Sequence, residues 1–112
     1  MKLTDEQRGG VLVVRVDETR VDASKAPLFK DEMARRIEAG HTQIVLDLSG
    51  VDFIDSSGLG AIVSCLKRLG PRGNMAVAGA KGAVSRLFAL TRMDKVFALE
   101  ETVDGALGRL GA

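Results

Sequence analysis

Residues 43–60 read Gln-Ile-Val-Leu-Asp-Leu-Ser-Gly-Val-Asp-Phe-Ile-Asp-Ser-Ser-Gly-Leu-Gly, and the pattern changes period partway along. Residues 43–48 are apolar almost without a break over the length of a strand, as expected of a strand covered on both faces by other elements. From Leu59 onward, Ile62, Val63, Leu66 and Leu69 recur at helical spacing, until Gly70-Pro71-Arg72-Gly73 breaks the pattern. A doubly covered strand feeding a helix is the building unit of α/β folds. In open sheets of that class, functional sites lie just beyond the carboxyl ends of strands, where loops enter helices. The same stretch therefore sets the fold class and points to the segment after Leu48.

Upstream, Gly9 and Gly10 separate a polar, alternating opening from the β-branched run Val11-Leu12-Val13-Val14-Arg15-Val16, so the first two elements read as a hairpin. Phe29, Met33 and Ile37 fall at four-residue steps on one face of a helix that should start near Ser24, its cap, and stop at Gly40. Pro27 is tolerated there because it lies in the first turn. Downstream, Met75-Ala76-Val77-Ala78-Gly79 and Val96-Phe97-Ala98-Leu99 read as strands. Val84, Leu87 and Phe88 give a short helical face, and Val103, Ala106, Leu107 and Leu110 a closing helix. Gly79-Ala80-Lys81-Gly82 reads as a strand-to-helix turn. The four phenylalanines, Phe29, Phe53, Phe88 and Phe97, all lie in apolar periodic segments and are expected in the core. The expectation is one α/β domain spanning residues 1–112, with a small mixed β-sheet and about four helices.

The composition supports this and narrows the function. The 112 residues are 46% hydrophobic and 28% charged. Folding a chain of this size buries roughly two thirds of its unfolded surface, enough for one core without disulfides or a structural metal. Sixteen Lys and Arg against fifteen Asp and Glu leave a net charge of +1, which is no footprint for nucleic acid. A lone Cys65 and a lone His41 supply too few ligands for a zinc cluster. Cys65 is expected as a small buried helix residue, and His41 in the turn after Gly40. The polar opening has no apolar signal-peptide core, and no apolar run approaches the roughly 18 residues of a membrane span, so a cytoplasmic protein is expected. GxSxG, GxxxxGK[ST] and GxGxxG are all absent, which argues against a hydrolase or nucleotide-binding enzyme.

Within residues 49–60, three cap-forming residues, Asp55, Ser56 and Ser57, stand in a row before a helix whose first turn holds Gly58 and Gly60. A helix start needs one cap. The plain reading is a redundantly capped helix, and the functional one is a serine presented for modification. A phosphoryl group there would add about −1.5 to −2 charge and three acceptor oxygens. The positive helix terminus could tolerate it within the fold, while an acidic or apolar partner surface would be repelled.

Val45-Leu46-Asp47-Leu48 followed by Val51-Asp52-Phe53-Ile54-Asp55-Ser56-Ser57-Gly58-Leu59-Gly60 resembles the signature of STAS domains, specifically the anti-sigma factor antagonists of bacterial partner-switching systems. Arg20-Val21-Asp22-Ala23 and Ala83-Val84-Ser85-Arg86-Leu87-Phe88 extend the resemblance over nearly the whole chain. Where many antagonists carry Gly-Glu-Leu-Asp, this chain has Thr19-Arg20-Val21-Asp22. The resemblance implies a non-enzymatic switch without cofactor. Its unphosphorylated form binds an anti-sigma factor that is also a serine kinase of the GHKL type, releasing a sigma factor or other target. Phosphorylation ends the complex, and a PP2C-type phosphatase restores it. By motif position the phosphoacceptor falls on Ser56, and Asp22, Asp55, Ser57, Gly58, Leu59 and Gly60 fall on the docking surface. Related modules also serve as constitutive accessory subunits of transporters or signalling assemblies.

Overall fold

A computed structural model describes residues 1–111. Strands β1 (Leu3–Arg8) and β2 (Val11–Val16) form the expected antiparallel hairpin, from Leu3 opposite Val16 to Arg8 opposite Val11. After a two-residue strand β3 (Arg20–Val21) come α1 (Ala26–Glu38), β4 (Gln43–Asp47), a second two-residue strand β5 (Phe53–Ile54) and α2 (Ser56–Leu69). The chain then continues through β6 (Asn74–Ala78), α3 (Gly82–Leu90), a 3-10 turn at Met93–Lys95, β7 (Ala98–Glu100) and α4 (Val103–Arg109). The main sheet runs β1-β2-β4-β6-β7, with every pair after the hairpin parallel, so the sheet is mixed.

β4 lies in the middle, and its unbroken hydrophobicity follows from that place. Successive side chains of a strand point to opposite faces. Ile44 and Leu46 enter the larger core with Val14, Phe29, Met33, Ile62 and Phe88, whereas Val45 enters a smaller one beneath α4. All three are fully buried. Under α4 the sheet presents Ala76 and Ala78, whose small side chains let a helix of only seven residues sit close enough to cover the middle of that face.

Several local expectations change. α1 begins at Ala26 with Lys25 as its N-cap and ends at Glu38, so it is shorter at both ends than residues 24–40. The Ser24 hydroxyl does not cap it but donates to Asp22 Oδ1 at 2.6 Å. Pro27 does fall in the first turn, where it removes no helical bond. The last strand starts at Ala98, not Val96. The 3-10 turn uses the preceding residues, and the Phe97 N–H donates to Met93 O instead of to a neighbouring strand. Phe97 is nonetheless buried, edge-on to Phe88 with ring centroids 5.8 Å apart. Phe53 is the one phenylalanine outside the core: it is half-buried in β5 with the Arg20 guanidinium 4.2 Å above its ring. Cys65 is buried as expected, and loss of water pushes its thiol up to about 11, with Lys30 and Arg68 pulling weakly the other way.

Candidate functional site

α2 starts two residues earlier than a helix preceded by all three cap-forming residues would, so that Ser56 and Ser57 lie within it. Asp55 is extended (φ −102°, ψ −177°) and is the N-cap, its Oδ1 accepting the Gly58 N–H at 2.9 Å while its carbonyl accepts the Leu59 N–H. Ser56 is therefore the first helical residue and Ser57 the second, and both are exposed. The helix itself offers no acceptor for the N–H groups of these first positions. The second carboxylate oxygen of Asp55 accepts the Ala23 N–H at 3.1 Å, so one side chain caps α2 and ties it to the loop before α1.

That tie exists because β3 and β5 pair in parallel, Arg20 with Phe53 and Val21 with Ile54. The Asp55 N–H extends the ladder to Val21 O. Two residues are too few to announce a strand, so the pairing was not legible from the pattern. Its effect is to bring Asp22 and Asp55, far apart in sequence, to either side of Ala23. Asp22 Oδ1 in turn accepts from the Ser24 N–H and hydroxyl, and its carbonyl accepts from Lys25 and Ala26. The loop entering α1 and the start of α2 thus form one hydrogen-bonded unit.

Replacing Asp55 by Ala removes both bonds and should destabilise the chain by about 1–2 kcal/mol in urea unfolding. Asp55→Asn keeps an acceptor and should cost less. Parent-like stability of the Ala variant would contradict the capping role.

The other proposed docking residues divide by burial. Gly60 is exposed beside Ser57, whereas Gly58 and Leu59 are buried. A Cβ on Gly58 would lie 2.3 Å from Val21 O and 2.8 Å from Ile54 Cγ1. Gly58 is thus a glycine so that α2 can lie against β3, not so that another molecule can approach its backbone. Between the starts of α1 and α2 runs a shallow depression lined by Ala23, Ala26, Pro27, Ser57, Gly60 and Ala61. Lys81, the residue before α3, donates its ammonium to Ser49 O and closes the loop behind the site.

The Asp22 carboxyl sits below the ordinary aspartate value, chiefly because the Ser24 hydroxyl donates to it; partial loss of water opposes the shift, and the N–H groups of Ser24 and Lys25 reinforce it. A carboxyl depressed by folding adds stability that is present above its unfolded pKa and is lost as pH falls through the folded one. In Ser24→Ala, the Asp22 midpoint followed by its carboxyl NMR shift should rise toward the ordinary value. An unmoved midpoint would assign the depression to another cause.

Among the described residues, no group of three or more His, Cys, Asp or Glu is placed to hold a metal, and no helix is long and apolar enough to cross a membrane. A mixed sheet whose central strands are covered on both faces, with an exposed pair of serines at a helix start, defines an α/β module whose distinctive feature is a surface and not a pocket. The chain belongs to the STAS domain family, whose sequence profile matches residues 2–106. It is 31% identical over 114 residues to the anti-sigma F factor antagonist of Paenibacillus polymyxa, a match covering 98% of this chain and 95% of the relative. It also superposes with a TM-score of 0.90 on the crystal structure of an anti-sigma factor antagonist from Mycobacterium paratuberculosis, at 30% identity, covering 99% of this chain and 94% of that one.

Proposed function

We propose that this chain is a phosphorylation-gated binding module that acts as an anti-sigma factor antagonist. Unphosphorylated, it docks through the start of α2 and the adjoining loop onto an anti-sigma factor that is also a GHKL-type serine kinase, and so releases a sigma factor or other target. The kinase transfers the γ-phosphoryl group of Mg-ATP to the Ser56 oxygen, the hydroxyl proton leaves to a base of the kinase, and ADP departs. The added charge ends the complex. A PP2C-type phosphatase hydrolyses the ester and returns Ser56. The chain contributes a substrate hydroxyl and a surface, with no cofactor and no turnover of its own, and residues 1–112 act as one unit in the cytoplasm alongside these partners.

The observation that carries this reading is the placement of Ser56. It is exposed at the first position of a helix whose cap, Asp55, is held from two sides. A hydroxyl at that position is rigidly presented, and a phosphate on it meets a positive helix end in its own chain, so the fold tolerates it. A partner surface matched to the neutral hydroxyl instead faces about two additional negative charges beside Asp55 and Asp22. Exposed Ser57 and Gly60 lie on the same surface, while buried Gly58 and Leu59 contribute by holding it in place.

The test is intact mass and peptide fragmentation after incubation with Mg-ATP and a candidate GHKL kinase, with a no-kinase control. One phosphoryl group on Ser56, absent from Ser56→Ala, is the expected result. Full modification of the Ser56→Ala chain would overturn the acceptor assignment. A kinase active on another substrate but inert here, together with co-purification on a membrane ATPase, would favour the constitutive accessory role.

A further inference from the structure

No Asp or Glu occurs between Asp55 and Asp94, and the intervening residues carry Lys67, Arg68, Arg72, Lys81, Arg86 and Arg92. Arg68 pairs with Glu38, and Lys81 is bound to the Ser49 carbonyl. Arg86 and Arg92, with Lys95 just beyond, are exposed and have no carboxylate within ion-pair distance among the described residues. The two most exposed large apolar side chains lie among them, Leu90 at 81% and Val96 at 51%. Arg86 and Leu90 share a face of α3, being four residues apart. Arg92 sits at φ +61°, a left-handed conformation that a non-glycine residue adopts at a cost, and it is the only such residue described.

α3 leads away from the carboxyl end of β6, and residues 93–97 lead into the amino end of β7, so Leu90, Arg92, Lys95 and Val96 lie toward the end of the parallel sheet opposite the start of α2, with Arg86 midway along α3.

We propose that Arg86, Leu90, Arg92, Lys95 and Val96 form a second docking face, built for an acidic protein segment that carries an aliphatic side chain. Three unpaired cations against the single exposed carboxylate of Asp94 leave this face net positive around two exposed aliphatic groups, which matches such a segment in charge and polarity. The fit to a membrane surface is poorer, because the chain has no Trp or Tyr and three of its phenylalanines are buried, which leaves the patch without the aromatic anchors of an interfacial site. Nucleic acid would call for a larger basic excess than a net charge of +1, or for exposed aromatic groups on which bases stack. The proposal is independent of the role of Ser56.

The probe is a short acidic peptide with two leucines one helical turn apart, titrated into the isotope-labelled full chain and followed by amide NMR shifts. A glutamine-for-glutamate version, phosphatidylserine-rich vesicles and duplex DNA serve as comparisons. The shifts should concentrate in residues 83–97 and weaken with added salt. Affinity should fall about tenfold or more in Arg92→Glu with Lys95→Glu, and again in Leu90→Ser. These side chains are exposed, so the dispersed spectrum of the fold should persist, and Ser56→Glu should leave the binding unchanged. Each of the following would overturn the proposal: no shifts, shifts centred on α2, equal binding of the glutamine peptide, undiminished affinity in both variants, preference for vesicles or DNA, or self-association through this face without peptide.

Discussion

Ser56→Glu is expected to bind the cognate kinase at least about 30-fold more weakly than the parent, the equivalent of about 2 kcal/mol for an unpaired charge in a docked surface. Ser56→Ala is expected to stay within about threefold, since it removes one hydroxyl from an exposed position that the fold does not use. The fully phosphorylated chain should be weaker than the glutamate variant, because a phosphomonoester carries nearly twice the charge of a carboxylate. Calorimetric titration of the four forms against the kinase measures this order directly, with circular dichroism to confirm that all are folded. The physical reason is the contrast between two environments of one atom. In the free chain, Oγ stands in water at the positive end of a helix capped by Asp55, whereas in the proposed complex that water would be replaced by a partner surface formed around a neutral group, which leaves an added charge unsolvated beside the same carboxylate. Equal affinity of the glutamate and parent chains would show that charge at this position does not gate binding.

Gly58→Ala should be the most damaging single methyl in the region. Its Cβ would need to occupy a point 2.3 Å from the Val21 carbonyl oxygen, and backbone on the other side cannot rotate away as a side chain would. α2 must then separate from β3, straining the Asp55 bonds to Ala23 and Val21. The helix gains up to about 1 kcal/mol from the better intrinsic preference of alanine. Overpacking and strained hydrogen bonds should exceed that and leave a net loss of about 3 kcal/mol, seen as a fall in Tm on the order of 10 °C. Gly60→Ala is the matched control, two residues along the same helix with nothing within 4 Å of the new Cβ. It should stabilise the chain by up to about 1 kcal/mol and weaken partner docking only. Equal melting temperatures for the two variants would refute the packing role assigned to Gly58.

These two glycines also show where reading residues alone reaches its limit. In the sequence they are equivalent small residues in the first turn of a helix, and both read as places where a partner could approach. One is exposed and fits that reading; the other fills a contact with a strand of two residues that no periodicity could announce. Phe53 misled for the same reason, because its apolar neighbours suggested a core strand, whereas β5 pairs only with β3 and leaves the ring under Arg20 at the surface. At α1 the error was one of competition. Ser24 is a good cap by type, but Asp22 captured its hydroxyl.

What the amino-acid order by itself determined is whatever depends on neighbours a few residues apart: the alternation of strands and helices, the doubly covered β4, the hairpin and a capped helix start among residues 55–57. Periodicity and capping act over one or two turns, so they are written locally. Only the tertiary structure decided that Val21 meets Gly58 and that Asp55 bonds to Ala23, the two contacts that bring Asp22, already assigned by motif position, beside α2. Each of these needs segments some thirty or more residues apart to be brought together by the shared burial of the sheet and its helices, and no short window of sequence contains both partners.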